Sequence, residues 1–224
     1  MRKFLAFLSI GILFLVIILS QFFISAQVSC SSQYGACPEN VLSEISPLNG
    51  KKLFFVRNGL KKVFSSSYLI SAYSLQFRLP NTIQVDVLVK KPLFALKSDS
   101  SESYALIDKD GTVLSVEGSS ELPTLGVSED LPKVGQKVSD KDLFALDLID
   151  GLYKMYQIRS GMIQEDTLLV DLPGPVRVIF PLVGADRNIL LGSLSLIYSN
   201  IQSGENKTLY TEIDMRYKNP VLRQ

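Results

Sequence analysis

The sequence predicts an α+β protein, and three observations carry that reading. Short segments with apolar residues three and four apart sit in the same chain as segments in which apolar and polar residues alternate. Asp110-Gly111 lies between two apolar runs and marks a tight hairpin, because glycine tolerates positive φ. Polar stretches such as Ser98 to Ser101 and Ser115 to Ser120 are short, so they read as loops rather than long linkers, and no internal repeat is present.

Composition narrows the function before any motif is considered. The 224 residues suffice for one or two compact domains. Lys plus Arg is 23 and Asp plus Glu is 22, so no basic excess exists to offset phosphates, and nucleic acid is not an expected partner. Zero His excludes Ser–His and Cys–His nucleophilic pairs, HExxH zinc sites and His-ligated haem. Two Cys cannot make a four-cysteine zinc site. No metal or cofactor is expected.

The first element is a membrane anchor. Phe4 to Ile24 carry no charge over 21 residues, about 31 Å of helix and close to the hydrocarbon thickness of a bilayer. We place the anchor at 4–25 and a short cytoplasmic tail at 1–3. Arg2 and Lys3 precede the run and the next base is Lys51, so the positive-inside rule puts the C-terminal bulk outside the cytoplasm. The expected product is a single-pass protein of the cell membrane. The competing readings are a cleaved signal peptide ending near Ser25-Ala26 and a lipoprotein acylated at Cys30. Cleavable apolar cores run about 7–15 residues, shorter than this one.

Residues 26–50 then read as a membrane-proximal stalk and the start of a folded unit. Cys30 and Cys37 bracket the polar loop Ser31 to Ala36. Outside the cytoplasm two neighbouring Cys default to a disulfide, with free thiols as the alternative. Pro38 to Ile45 fits a short helix with Val41, Leu42 and Ile45 on one face. Leu53 to Phe64 fits a second, with Phe54, Leu60, Val63 and Phe64 inward. Tyr73 to Leu79 and Ile83 to Lys90 alternate as strands joined through Pro80-Asn81-Thr82, with Leu88 breaking the alternation. Lys91-Pro92 closes the unit, so 51–92 complete it and 93–224 form a second, β-rich domain.

In that second domain, Tyr104 to Asp108 and Thr112 to Ser115 form the Asp-Gly hairpin. Asp108 and Asp110 lack further ligands at EF-hand spacing and read as turn residues rather than a calcium site. Ser139 and Asp142 form a capping box. The next helix has a stripe of Ala145, Leu148, Ile149, Leu152, Met155 and Tyr156, with Gly151 weakening it by about 1 kcal/mol. Leu168 to Val170 and Val176 to Phe180 are strands around Pro173-Gly174-Pro175. A second flanking helix turns Leu190, Leu194, Ile197 and Ile201 inward. Leu209 to Tyr217 is the last strand.

Several stretches of this order resemble the FtsQ/DivIB family of bacterial cell-division proteins. Gly50 to Phe54, Phe77 to Val85 and Lys90-Lys91-Pro92 look like the family's POTRA domain. Tyr104 to Leu114, Leu122 to Leu125 and Ile213 to Val221 look like its β domain and terminal strand. The likeness spans about residues 50 to 224. It implies a POTRA-like αβ domain followed by a mixed β-rich domain with two flanking helices. It also implies a scaffold without enzymatic activity, which holds FtsB-like and FtsL-like partners at the division septum.

The resemblance places partner binding on the C-terminal strand, at Tyr210, Glu212, Ile213, Met215, Tyr217 and Val221. A strand with an unpaired edge is a template for a partner's strand; the other reading is an internal strand with no free edge. The competing functions are a POTRA-bearing or generic anchored protein of another envelope pathway, and an extracytoplasmic hydrolase with paired carboxylates. For the hydrolase the pairs are Asp147 with Asp150 and Glu212 with Asp214, which read instead as solvated faces. Asn206-Lys207-Thr208 matches a glycosylation sequon and reads as chance.

Overall fold

The computed structural model describes residues 23–203 and 210–224. The expected tail, nearly all of the anchor, Leu209 and the Asn206 sequon lie outside the described residues. Among the described residues no helix is long and apolar enough to cross a membrane. The chain divides into two compact α+β units at Lys90/Lys91.

The first unit is a four-stranded sheet with two helices. Its elements are β1 (Gln27–Ser32), β2 (Gly35–Ala36), α1 (Glu39–Ile45), α2 (Leu53–Ser66), β3 (Ile70–Arg78) and β4 (Thr82–Val89). The strand order is β2-β1-β4-β3. β3 and β4 form the expected antiparallel hairpin, while β1 runs parallel to β4 from Gln27↔Thr82 to Ser32↔Val87. Alternation puts Ile83, Val85 and Val87 inward, and Leu88 is exposed. Against them pack Val41 and Ile45 of α1 and Val56, Leu60 and Phe64 of α2. That four-residue spacing gives one helix stripe. It leaves Leu42 and Phe54, both expected inside, exposed on the flanks.

The segment expected as a stalk with a polar loop is the strand β1. Its composition hides it: only Val28 and Cys30 pack on the core, and the remaining side chains are polar. Ser31 Oγ donates to Asp86 Oδ1 at 2.6 Å across the β1–β4 pairing, so the serine satisfies a polar neighbour instead of filling a core. Cys30 and Cys37 are joined by a disulfide, their Cα atoms 5.7 Å apart. The bridge ties β1 to the chain just after β2, and Cys37 is buried.

The second unit is a nine-stranded sheet with both of its helices on one face. Its strands are β5 (Phe94–Ser98), β6 (Tyr104–Ile107), β7 (Val113–Glu117), β8 (Thr124–Val127), β9 (Ser160–Gln164), β10 (Thr167–Asp171), β11 (Arg177–Pro181), β12 (Glu212–Asp214) and β13 (Val221–Arg223). The helices are α3 (Asp140–Tyr156) and α4 (Arg187–Ser203). The sheet order is β13-β12-β11-β10-β9-β8-β5-β6-β7. Leu96, Ile107, Leu125, Leu168, Phe180 and Ile213 face Leu148, Ile149, Leu152, Leu190 and Leu194 in one core.

The local signals explain the elements. Asp108 Oδ1 accepts from the main-chain N of Asp110 at 2.9 Å and of Thr112 at 2.8 Å, and Gly111 has φ +79°, so the aspartate holds the β6–β7 turn. Ser139 caps α3: its Oγ accepts from Asp142 N at 3.1 Å and donates to the Asp142 carboxylate at 2.6 Å. The Asp142 side chain thus reaches the capping hydroxyl rather than the Ser139 main chain. Met155, expected in the α3 stripe, is exposed. At Gly151 the two helices pack tightly, because a Cβ there would overlap Leu191 Cδ1 of α4.

Candidate partner-binding edge

The C-terminal end of the large sheet is built outward from β11. Val178 and Phe180 point into the core and fix the strand's orientation. β12 lies parallel to it, with Arg177↔Glu212, Val178↔Ile213 and Ile179↔Asp214 in register. Pairing begins with Thr211, whose carbonyl accepts from Arg177 N at 2.8 Å. After Asp214 the chain turns, passes Pro220 and returns as β13, antiparallel to β12, with Glu212↔Arg223 and Asp214↔Val221 opposed.

This moves the sheet edge away from where the sequence places it. The expected strand Leu209 to Tyr217 contracts to three residues, and β12 is paired on both sides. Ile213 and Met215 are buried in the core and serve the fold, and Tyr210 is half-buried. Glu212 is held by β13. Tyr217 and Val221 are exposed at 54% and 40%, and of the predicted residues they remain accessible. The outermost strand is β13, whose outer side has no neighbouring strand among the described residues. Leu222 and Arg223 complete it, and neither is among the residues the sequence points to. The available signal was a short Val-Leu-Arg run after Pro220, too brief to show alternation.

A row of alternating charge crosses the four strands at this end. Asp171, Arg177, Glu212 and Arg223 oppose one another in register from β10 to β13. Arg177 Nε donates to Asp171 Oδ1 at 2.8 Å, and Arg223 Nη1 to Glu212 Oε1 at 2.6 Å. Opposite charges facing one another across strands stabilise pairing and resist register slips. Asp214 is completely buried, and Arg216 and Arg223 both reach it. The hydrogen-bonding Arg216 guanidinium holds its carboxyl below the ordinary carboxylate range, and Asp214 raises the Arg216 pKa in turn. Asp214 is therefore a structural ion, not part of a solvated face.

The other carboxylate pair is engaged as well. Asp150 accepts from Lys154 at 2.6 Å and lies 3.7 Å from Arg187 Nη2. Partial burial pushes the Asp147 carboxyl up. The opposite edge of the sheet, β7, is covered at its start, where Val113 N donates to Gln136 O at 2.9 Å and Gly135 N to Val113 O at 2.8 Å. Among the described residues no three Cys, Asp or Glu side chains gather as metal ligands would.

No family model matches the chain, and no curated protein matches it.

Proposed function

We propose that the protein is a bitopic membrane scaffold of the bacterial division septum, without enzymatic activity, related to the FtsQ/DivIB proteins. In this reading residues 4–25 hold it in the cell membrane with the C-terminal bulk outside the cytoplasm. The first unit is its POTRA-like domain. The second binds FtsB-like and FtsL-like partners by strand addition.

The observation that supports the reading most is the open β13 edge, which lies against a β12 strand paired on both sides and held by the buried Ile213 and Asp214. Strand addition draws affinity from main-chain hydrogen bonds, so it needs a rigid template more than a particular side-chain set. Tyr217, Val221 and Leu222 stand exposed beside that edge and offer apolar contacts to alternate side chains of an added strand.

The test is photo-crosslinking in the full chain. A crosslinking amino acid at Leu222 is expected to capture the FtsB-like protein of the same organism in dividing cells. Capture from Val116 on β7, with none from Leu222, overturns the assignment of the edge. Failure to capture any division protein from either position overturns the scaffold reading.

A further inference from the structure

We propose that the end of the first unit from which the chain leaves Phe23 rests on an anionic lipid surface, with Phe55 and Leu79 as apolar contacts and Lys51, Lys52, Arg57 and Arg78 as the cations that meet lipid phosphates. The proposal rests on the reading of residues 4–25 as a membrane anchor.

Three segments distant in sequence converge at that end. Leu53 N donates to Ile24 O at 2.9 Å, Ala26 N to Lys51 O at 2.8 Å, and Gln27 N to Asn81 O at 2.8 Å. Lys52 Nζ donates to Phe23 O at 3.0 Å. The start of α2 and the β3–β4 turn are thus hydrogen-bonded to the residues that continue the uncharged run. If that run is in a bilayer, these two loops are at its surface.

Their side chains suit that place. Phe55 is 58% exposed and Leu79 86%, although a soluble surface would favour polar residues at both. The Phe54 ring stands edge-on to Phe55, centroids 5.7 Å apart, so the pair presents one aromatic block. Phe and Leu side chains flanked by bases are the composition of a surface that lies on a membrane, where the apolar groups enter the boundary of the acyl chains and the cations meet phosphates. Charge complementarity selects an anionic surface. From Ile45 to Val85 the sequence holds six Lys or Arg and no Asp or Glu. The first acid after that stretch, Asp86, is occupied by Ser31 and Gln84.

The chain has no Trp, so a single introduced indole reports its own surroundings. Full-length Phe55→Trp, Leu79→Trp and Tyr34→Trp variants are reconstituted in phosphatidylglycerol-containing vesicles with brominated acyl chains. Tyr34 is exposed and lies at the far end of the β1–β4 pairing, about 25 Å away. Indoles at 55 and 79 are expected to be quenched several-fold more than the one at 34. Lys51→Glu with Arg57→Glu is expected to reduce quenching at 55. Equal quenching at 55 in anionic and zwitterionic vesicles overturns the anionic preference. An indole at 55 shielded from aqueous iodide but not quenched by bromolipid is covered by protein, which overturns the lipid contact while the anchor stands. A chain that carbonate extracts from the vesicles overturns the anchor itself, and the proposal with it.

Discussion

Arg216 closes on Asp214, two residues before it, through Nε to Oδ1 at 2.9 Å and Nη2 to Oδ2 at 2.6 Å, while its main-chain N donates to Oδ1 at 3.1 Å. One buried carboxylate thus ends β12, sets the turn after it, and reaches Arg223 of β13 at 3.4 Å. The outermost strand of the sheet is held partly by this ion.

Asp214→Asn keeps the shape of the side chain and removes its charge. We expect a loss of about 2 kcal/mol, the scale of hydrogen bonds to a charged group at a buried site. Arg177→Ala removes an exposed pair with Asp171 and is expected to change stability by about 0.5 kcal/mol or less. Urea midpoints of the two variants check both; equal effects would mean that burial of Asp214 is not what matters.

The two perturbed aspartates give opposite pH behaviour. Arg216 lowers the Asp214 pKa from 3.8, so its stabilisation is present above that value and is lost as pH falls through the lower folded value. Burial raises the Asp147 pKa, so stability falls as pH climbs from 3.8 to the higher folded value, and the loss is complete above it. Asp147→Asn is therefore expected to stabilise the protein at neutral pH and to be neutral in acid. Asp214→Asn is expected to destabilise at neutral pH, and the difference should shrink in strong acid. Melting curves across that range of pH decide both signs.

Gly151→Ala sets helix propensity against packing. Alanine gains about 1 kcal/mol in an α-helix interior. The new methyl overlaps Leu191 and comes within 3.1 Å of Arg187 Nη2, and overpacking costs about 1–3 kcal/mol. Net destabilisation is expected, and it should shrink in a Leu191→Ala background. An additive double-mutant cycle would show that the two residues do not press on one another.

The Cys30–Cys37 bridge closes a short loop, so its loss is expected to weaken the first unit by about 2 kcal/mol. The measure is the urea midpoint of the Cys30→Ser, Cys37→Ser double variant against the parent under oxidising conditions. An unchanged midpoint would assign the bridge no share in stability.

Legibility tracks the amount of apolar surface each element buries. The β3–β4 hairpin, the Asp108 turn and both large helices are readable because their periodicity or turn chemistry is strong. β1 and β9 are not, because Gln27–Ser32 and Ser160–Gln164 carry few β-branched or aromatic residues, and each is placed by a parallel neighbour distant in sequence, β9 by its antiparallel partner β10 as well. A helical wheel blurs the edges of a stripe: Leu42, Phe54 and Met155 look inward on it and lie just past the contact face, while Tyr198, outside the expected stripe, is buried and donates to Pro173 O at 2.9 Å. At the candidate site the expected long edge strand is a short strand paired on both sides, with β13 outside it. Tyr217 and Val221 are accessible, whereas Ile213 and Met215 serve the core. Nothing local in Glu212 to Arg223 tells which of two short strands lies outermost; that depends on how the chain turns at Asp214.

The parallel pairing of β1 with β4 has a mechanical consequence. The chain enters β1 from Phe23 at one end of the first unit and leaves β4 toward Lys91 at the other. A pull between those two points slides the neighbouring strands along one another, so the ladder from Gln27↔Thr82 to Ser32↔Val87 bears the load together instead of opening pair by pair. The Cys30–Cys37 link lies off that ladder, between β1 and the chain after β2, and keeps Ser31 to Ala36 from paying out under such a pull.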